Sequence, residues 1–246
     1  MPTSGSTNWT MNRDAVIELA LRRVTAFGKG ETPGAQDVTD AAIALNAIVK
    51  EEQAHGMPLW KISTFSFTPT ASTASYAVYV SGTVNRYPPL KLLEAWYRNT
   101  SSSVDTPIRL ITRSEYNMLS NKSTTGYPSQ LYYNPPGHQG QTSNEPRGTI
   151  YLWNVPNTTF VASNDIYCTG VFPFEDFDAD TDSPDFPSYF NNALSWILAS
   201  QLAFEYGVPP SRIAQINLMA KESRERALQS MPEEGSMFIQ PAPRFG

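Results

Sequence analysis

The sequence predicts an α+β protein: an antiparallel helical bundle made from the N- and C-terminal helices, with an antiparallel β sandwich or partial barrel inserted between them. Three observations carry this expectation. Helical periodicity is confined to the two ends, with Val16, Ile17, Ala20, Leu21, Val24 and Phe27 at one and Phe190, Ala193, Leu194, Ile197, Leu198 and Leu202 at the other. Between Trp60 and about Phe174 the chain changes to short β-branched and aromatic runs, separated by Pro, Gly, Asn and Ser clusters. Finally, a helical pair of about 40 residues has too little core to stand alone, so the simplest packing lets both pairs share one.

In chain order, the first helix is expected from Asn12 to Phe27, with Arg22 and Arg23 at the negative end of its dipole, before Gly28 and Gly30 break it. A second begins after Thr32 as cap, with Pro33 in the first helical position, where its missing N–H costs nothing. Its apolar face is Val38, Ala41, Ala42, Leu45, Ile48 and Val49, and Gly56 with Pro58 ends it. Seven strand-like runs follow: STFSFTP, ASYAVYVSG, LKLLEAWYR, PIRLITR, SQLYYNPP, RGTIYLWNVP and NDIYCTGVF. A short helix is expected at SEYNMLSN and a long exposed loop at residues 134–148. The helical period then returns from Pro187 to Tyr206, closed by Gly207 and Pro209, and Ser211 is the expected cap of a last helix ending near Gln229. The terminal MPEEGSMFIQPAPRFG has no period and reads as an extended tail. The expected parse is therefore a discontinuous helical bundle of residues 10–57 with 186–230, an inserted β domain of 58–185 that includes the acidic return connection, and a tail of 231–246.

The totals exclude several classes. With 18 Lys and Arg against 23 Asp and Glu, the net charge of −5 lacks the basic excess of a general nucleic-acid binder. No apolar run is long enough for a membrane helix, and no membrane partner is expected. The opening MPTSGSTNWTMNRD lacks the apolar core of a secretion signal, and the single Cys168 excludes an internal disulfide framework. A cytosolic origin is expected.

Residues 175–186, EDFDADTDSPDF, hold six carboxylates and no Lys or Arg. A calcium loop of the EF-hand type needs Gly at position six and a bidentate Glu at twelve; counted from Asp176 these positions are Thr181 and Pro187. A looser oxygen site stays open, but an acidic connector leading into the helix at Pro187 is preferred. His55 and His138, the only histidines, show no ligand or triad spacing with Cys168, and neither a G-x-S-x-G elbow nor a phosphate loop occurs. No enzymatic role, cofactor or metal is assigned. Carboxylate pairs suited to glycoside hydrolysis are not singled out by any spacing. The tyrosines of YPSQLYYNPP suit either a sugar- or peptide-binding surface or half-buried strand positions, and the latter is preferred.

Several stretches, taken in order, resemble the head-to-tail adaptor proteins of short-tailed bacteriophages, also called tail accessory or head-completion proteins. ALRRVTAFGKGETPGAQDVTDAAIALNAIVKEEQAHGMPLW is similar to their opening, and DTPIRLITRSEYNMLSNKSTTGYPSQLYY to their central segment. GTIYLWNVP resembles their strand with Trp and Pro, and PFEDFDADTDSPDFPSYFNNALSWILASQLAFEYG their return to helix. The agreement runs over roughly residues 12–230.

The resemblance implies a non-enzymatic virion protein at the neck between capsid and tail, present in the host cytoplasm during assembly. It implies a homo-oligomeric ring, usually a dodecamer, beneath the portal protein. Tail nozzle and fibre or spike proteins would attach below, and double-stranded DNA would pass through without sequence-specific binding. Portal contacts are implied for the tail residues Met237, Phe238, Ile239, Arg244 and Phe245. Arg224 and Arg226, in ESRERAL just before that tail, are grouped with them. The alternatives kept beside this reading are a peptidoglycan-cleaving tail component and a carbohydrate-binding tail module.

Overall fold

A computed structural model describes residues 9–24, 30–54, 61–137 and 146–229. It is a mixed α and β structure, with helices toward both ends and sheets in the middle. The elements follow in order as α1 (Arg13–Val24), α2 (Ala35–Ala54), β1 (Ile62–Phe67), β2 (Ser75–Tyr79), β3 (Val84–Asn85), β4 (Lys91–Asn99), β5 (Asp105–Pro107) and β6 (Arg109–Leu110). Then come α3 (Arg113–Met118), β7 (Thr125–Gly126), β8 (Gln130–Asn134), β9 (Gly148–Trp153), β10 (Val155–Pro156), α4 (Thr158–Val161) and β11 (Asn164–Val171). A 3-10 turn at Ser188–Phe190 leads into α5 (Asn191–Glu205), and α6 (Pro210–Gln229) is last. The chain divides into two compact units, one of Met1–Glu51 with Asp176–Gly246 and one of Glu52–Glu175.

In the first unit α5 packs against both α1 and α6. Its neighbours on two sides explain why Ala193, Leu194, Leu198, Ala199, Leu202 and Ala203 are all buried, facing a stripe of Val16, Ile17, Ala20, Leu21 and Val24 on α1. Asn12 opens α1 by accepting the Ala15 N–H on its side chain at 3.0 Å. Helix α5 ends as its sequence anticipates. Gly207 sits at φ +62, Val208 N–H donates to Ala203 O at 3.2 Å, and Gly207 N–H to Phe204 O, a Schellman closure with Val208 buried behind it.

Two starts differ from expectation. α2 begins at Ala35, with Gly34 O accepting the Val38 N–H at 3.1 Å, so Thr32 and Pro33 precede the helix instead of capping it. α6 begins at Pro210, and Pro209 O accepts from Arg212 and Ile213; Ser211 is inside the first turn and is not the cap. Proline tolerates the first helical position because no N–H is needed there, which lets the helix start earlier. The region expected as helix from Pro187 opens instead with the 3-10 turn.

In the second unit each of the seven expected runs carries a strand. One sheet has the order β1-β11-β4-β5, another β3-β2-β9-β8-β6, and β10 pairs with β7. Alternation along β9 and the first part of β11 sends every second residue inward. Phe65, Phe67, Ala95, Ile166 and Cys168 from one sheet share a single core with Tyr76, Val78, Leu131, Ile150 and Leu152 from the other.

The expectation of purely antiparallel pairing needs correction. β2 with β3, β6 with β8, and β7 with β10 are parallel, each over two residue pairs. Between β6 and β8 the chain makes a crossover that contains α3, whereas β2 and β3 are joined by residues 80–83 alone and pair over only two positions. The unforeseen α4 is one turn, capped by Asn157, whose Oδ1 accepts the Phe160 N–H at 2.8 Å.

The short α3 starts one residue earlier than SEYNMLSN, where a capping box fixes it, and ends three earlier, where the Leu119 N–H turns back to Tyr116 O. Thr112 and Glu115 bond reciprocally, and Arg109 approaches Glu115 at 2.9 Å. The Thr112 backbone N–H, then its hydroxyl, and then the Arg109 charge hold the Glu115 carboxyl below its usual range. A depressed carboxyl contributes stability above its unfolded pKa and loses it as pH falls through the folded value. Urea midpoints of wild type and Glu115→Gln are therefore expected to differ at pH 7 and to converge on acidification. A gap that persists or widens in acid would contradict this.

Candidate functional site

The acidic segment is tied down within the helical unit from Asp176 onward, whereas the expected β domain ran to residue 185. Lys50 on α2 pairs with Asp176 at 2.6 Å. Asn46, one turn earlier, grips Phe177 by both backbone groups: its Oδ1 accepts the Phe177 N–H at 2.8 Å and its Nδ2 donates to Phe177 O at 3.2 Å. The Asp182 carboxylate accepts the N–H groups of Asp178 and Ala179 at 2.9 and 2.7 Å, closing a turn. Arg13 N–H donates to Asp182 O at 2.7 Å, which seats this turn at the start of α1. Asp178 and Asp180 are exposed; Arg13 Nη1 reaches Asp178 O at 3.5 Å, but among the described residues no cationic side chain pairs with the carboxylate of either. Among the described residues no group of three His, Cys, Asp or Glu side chains is placed to hold a metal ion.

Asn46 is the side chain on which this anchoring depends most. Asn46→Ala leaves Phe177, which is buried, without its two-point partner, and is expected to cost about 1–3 kcal/mol. Urea denaturation of the full chain measures it, and a loss well under about 1 kcal/mol would mean that water replaces the amide without penalty.

At the other end of α1 lies a cationic corner. Arg23 Nη1 donates to Ser195 Oγ at 2.7 Å and Asn192 O at 3.2 Å, and Nη2 donates to Asn192 Oδ1 at 2.6 Å. Its guanidinium stacks 4.0 Å from the Trp196 ring centroid. Arg212, in the first turn of α6, donates to Arg23 O at 3.3 Å. No carboxylate pairs with either arginine among the described residues, and burial pushes the Arg23 guanidinium down to about 10. Sequence periodicity identified Arg23 only as a favourable charge near the end of α1. The one available signal for more was the adjacency of Asn192, Ser195 and Trp196 on a second helix.

The sequence-selected residues are placed differently. Arg226 pairs with Glu222 at 2.6 Å along α6, and Arg224 is engaged and half-buried on the same helix. Two residues apart on a helix, they project about 200° from one another and do not form one patch. Met237, Phe238, Ile239, Arg244 and Phe245 lie outside the described residues, as do His55 and His138.

In the β unit, Cys168 is fully buried and its thiol is pushed up to about 12, which removes its nucleophilic character at neutral pH. Tyr132 is buried and packs with Tyr116 and Tyr151, the three ring centroids lying 5.3 to 5.6 Å apart. Tyr133 donates its hydroxyl to Pro89 O at 2.6 Å. These tyrosines thus bind one another and the backbone. A groove of about 200 Å³ beside Leu92, Leu110, Leu131 and Tyr133 is mainly apolar, and its lining contains no acid–base pair. Among the described residues no helix is long and apolar enough to cross a membrane. No family model and no curated protein sequence matches the chain.

Proposed function

We propose that this chain is a virion structural protein without enzymatic activity, the subunit of an adaptor ring that joins the capsid portal to the tail of a short-tailed bacteriophage and extends the DNA channel. On this reading it is a helical bundle with an inserted β sandwich, located at the neck of the virion. Its partners are the portal protein above, tail nozzle and fibre or spike proteins below, and further copies of itself, twelve in the usual ring.

The observation that carries the reading is the ordered resemblance across residues 12–230, from the paired opening helices to the acidic return into helix. It is supported by the way both chain ends contribute helices to one compact unit while the middle forms another. Such a plan gives one protein two separate working surfaces. The net charge of −5 suits a conduit for DNA, because an acidic subunit does not hold phosphates. Weak contacts repeated around a ring become a stable assembly through high effective concentration.

The test is co-expression of the full chain with the portal protein encoded in its own genome, followed by mass photometry. A complex carrying one adaptor per portal subunit is expected, and deletion of residues 237–246 is expected to abolish it. A complex that survives the deletion moves the portal contact away from the tail. The absence of any complex with the full chain overturns the adaptor reading.

A further inference from the structure

We infer that copies of this chain meet head to tail, the carboxylates of Asp178 and Asp180 in one copy docking on the Arg23–Arg212 corner of the next. The inference rests on the ring reading for the presence of a next copy, and it supplies the contact that such a ring would use.

The corner is built to receive a carboxylate. A guanidinium carries five N–H donors in a plane. Ser195 and Asn192 occupy both donors of Arg23 Nη1 and one of Nη2, and Trp196 covers one face. The Nε–H and the second Nη2–H have no acceptor among the described residues. Nε and Nη2 together form the side edge of the guanidinium, the edge that a carboxylate accepts in bidentate fashion. Arg212 brings a second guanidinium to the same corner through its bond to Arg23 O. The bonds to α5 and the stacking on Trp196 hold Arg23 in place before any ligand arrives, so little side-chain entropy remains to be lost on docking.

The complementary group is in the same unit but out of reach. The turn closed by Asp182 seats on Arg13, at the first residue of α1, whereas Arg23 is in its last turn. Ten residues of helix separate them by about 15 Å. The α1 dipole accounts for the sign of each pole, since anions favour the N-terminus and cations the C-terminus. It does not occupy the empty donors of Arg23, nor does it neutralise Asp178 and Asp180. Opposite poles at the two ends of one rigid element cannot pair within a copy. Between copies they make a heterologous contact, which repeats from subunit to subunit and closes into a ring when the rotation allows. A phosphate would satisfy the same donors, but a polyanion would approach a subunit of net charge −5, whereas the acidic turn is a local feature that a neighbour can present directly.

The experiment uses the full chain co-expressed with its portal protein, carrying Thr181→Cys and Ser211→Cys together, two exposed positions that adjoin the contact and leave its four charged groups in place, and treated with a short bis-maleimide. The native Cys168 is fully buried and stays silent. A ladder of dimers, trimers and higher products is expected, because every copy carries both thiols. Either single variant should give no ladder, and adding Asp178→Arg to the pair should reduce it about tenfold or more by placing like charges together. Circular dichroism of each variant checks that the fold is retained.

A normal portal complex with no ladder overturns the head-to-tail contact and leaves the adaptor reading standing. The loss of both overturns both. A ladder that ignores Asp178→Arg overturns the ionic contact while leaving the copies adjacent. A missing ladder together with co-purified nucleic acid overturns the contact in favour of a phosphate site at the corner.

Discussion

Phe160→Ala is expected to lower the unfolding free energy by about 3–5 kcal/mol, the range for removing a buried aromatic ring without refilling its space. Phe160 is fully buried, and three features of the fold converge on it. Its ring meets Tyr97 and Tyr127 nearly edge to face, at centroid distances of 5.1 and 5.2 Å. Its N–H is held by Asn157, and its carbonyl accepts from Asn164 Nδ2 at 2.8 Å, so the single-turn helix cannot slide inward to fill the vacancy. Urea unfolding followed by tyrosine and tryptophan fluorescence reads the change. A loss below about 1 kcal/mol would show that Tyr97 and Tyr127 collapse into the space, and that the backbone bonds do not fix α4.

Leu194→Ala is expected to cost about 2–5 kcal/mol in the helical unit. Leu194 is fully buried on α5, the helix that packs against both α1 and α6, so a cavity there loosens two helix contacts at once. The substitution keeps helix propensity, since Ala is the better helix former, and the predicted loss is therefore a packing loss alone. Hydrogen exchange of α5 amides in the full chain, compared with urea unfolding, measures it. The same variant is expected to weaken adaptor assembly, because Asn192 and Ser195, which hold Arg23, flank the altered position. Full assembly together with a loss of several kcal/mol would separate the corner from the packing of α5.

Some features were legible in the residues themselves. The spacing of Val16, Ala20, Leu21 and Val24, or of Leu194, Leu198 and Leu202, specifies a helix because those positions share a face whatever surrounds them. Gly207 marked the end of α5 because only a residue without Cβ takes a positive φ there freely. The runs around Tyr76, Ile150 and Ile166 specified strands for a similar local reason, their alternation and β-branching. The acidic segment was legible as a connector because its spacing fails the calcium pattern. Arg224 and Arg226 were selected from their place in the chain alone, which says nothing about the Glu222 pairing that engages Arg226 on its own helix.

What the sequence determined by itself, then, was the class and the order of the main elements, since periodicity and turn chemistry act over a few residues. Tertiary structure alone decided which strands run parallel, how Asn46 grips Phe177 across 131 positions, and that Arg23 meets Ser195 across 172. Those pairings arise only after helices and strands have buried their apolar faces against one another. Burial then selects the few polar partners able to satisfy a group cut off from water, and their separation along the chain leaves no local pattern to read.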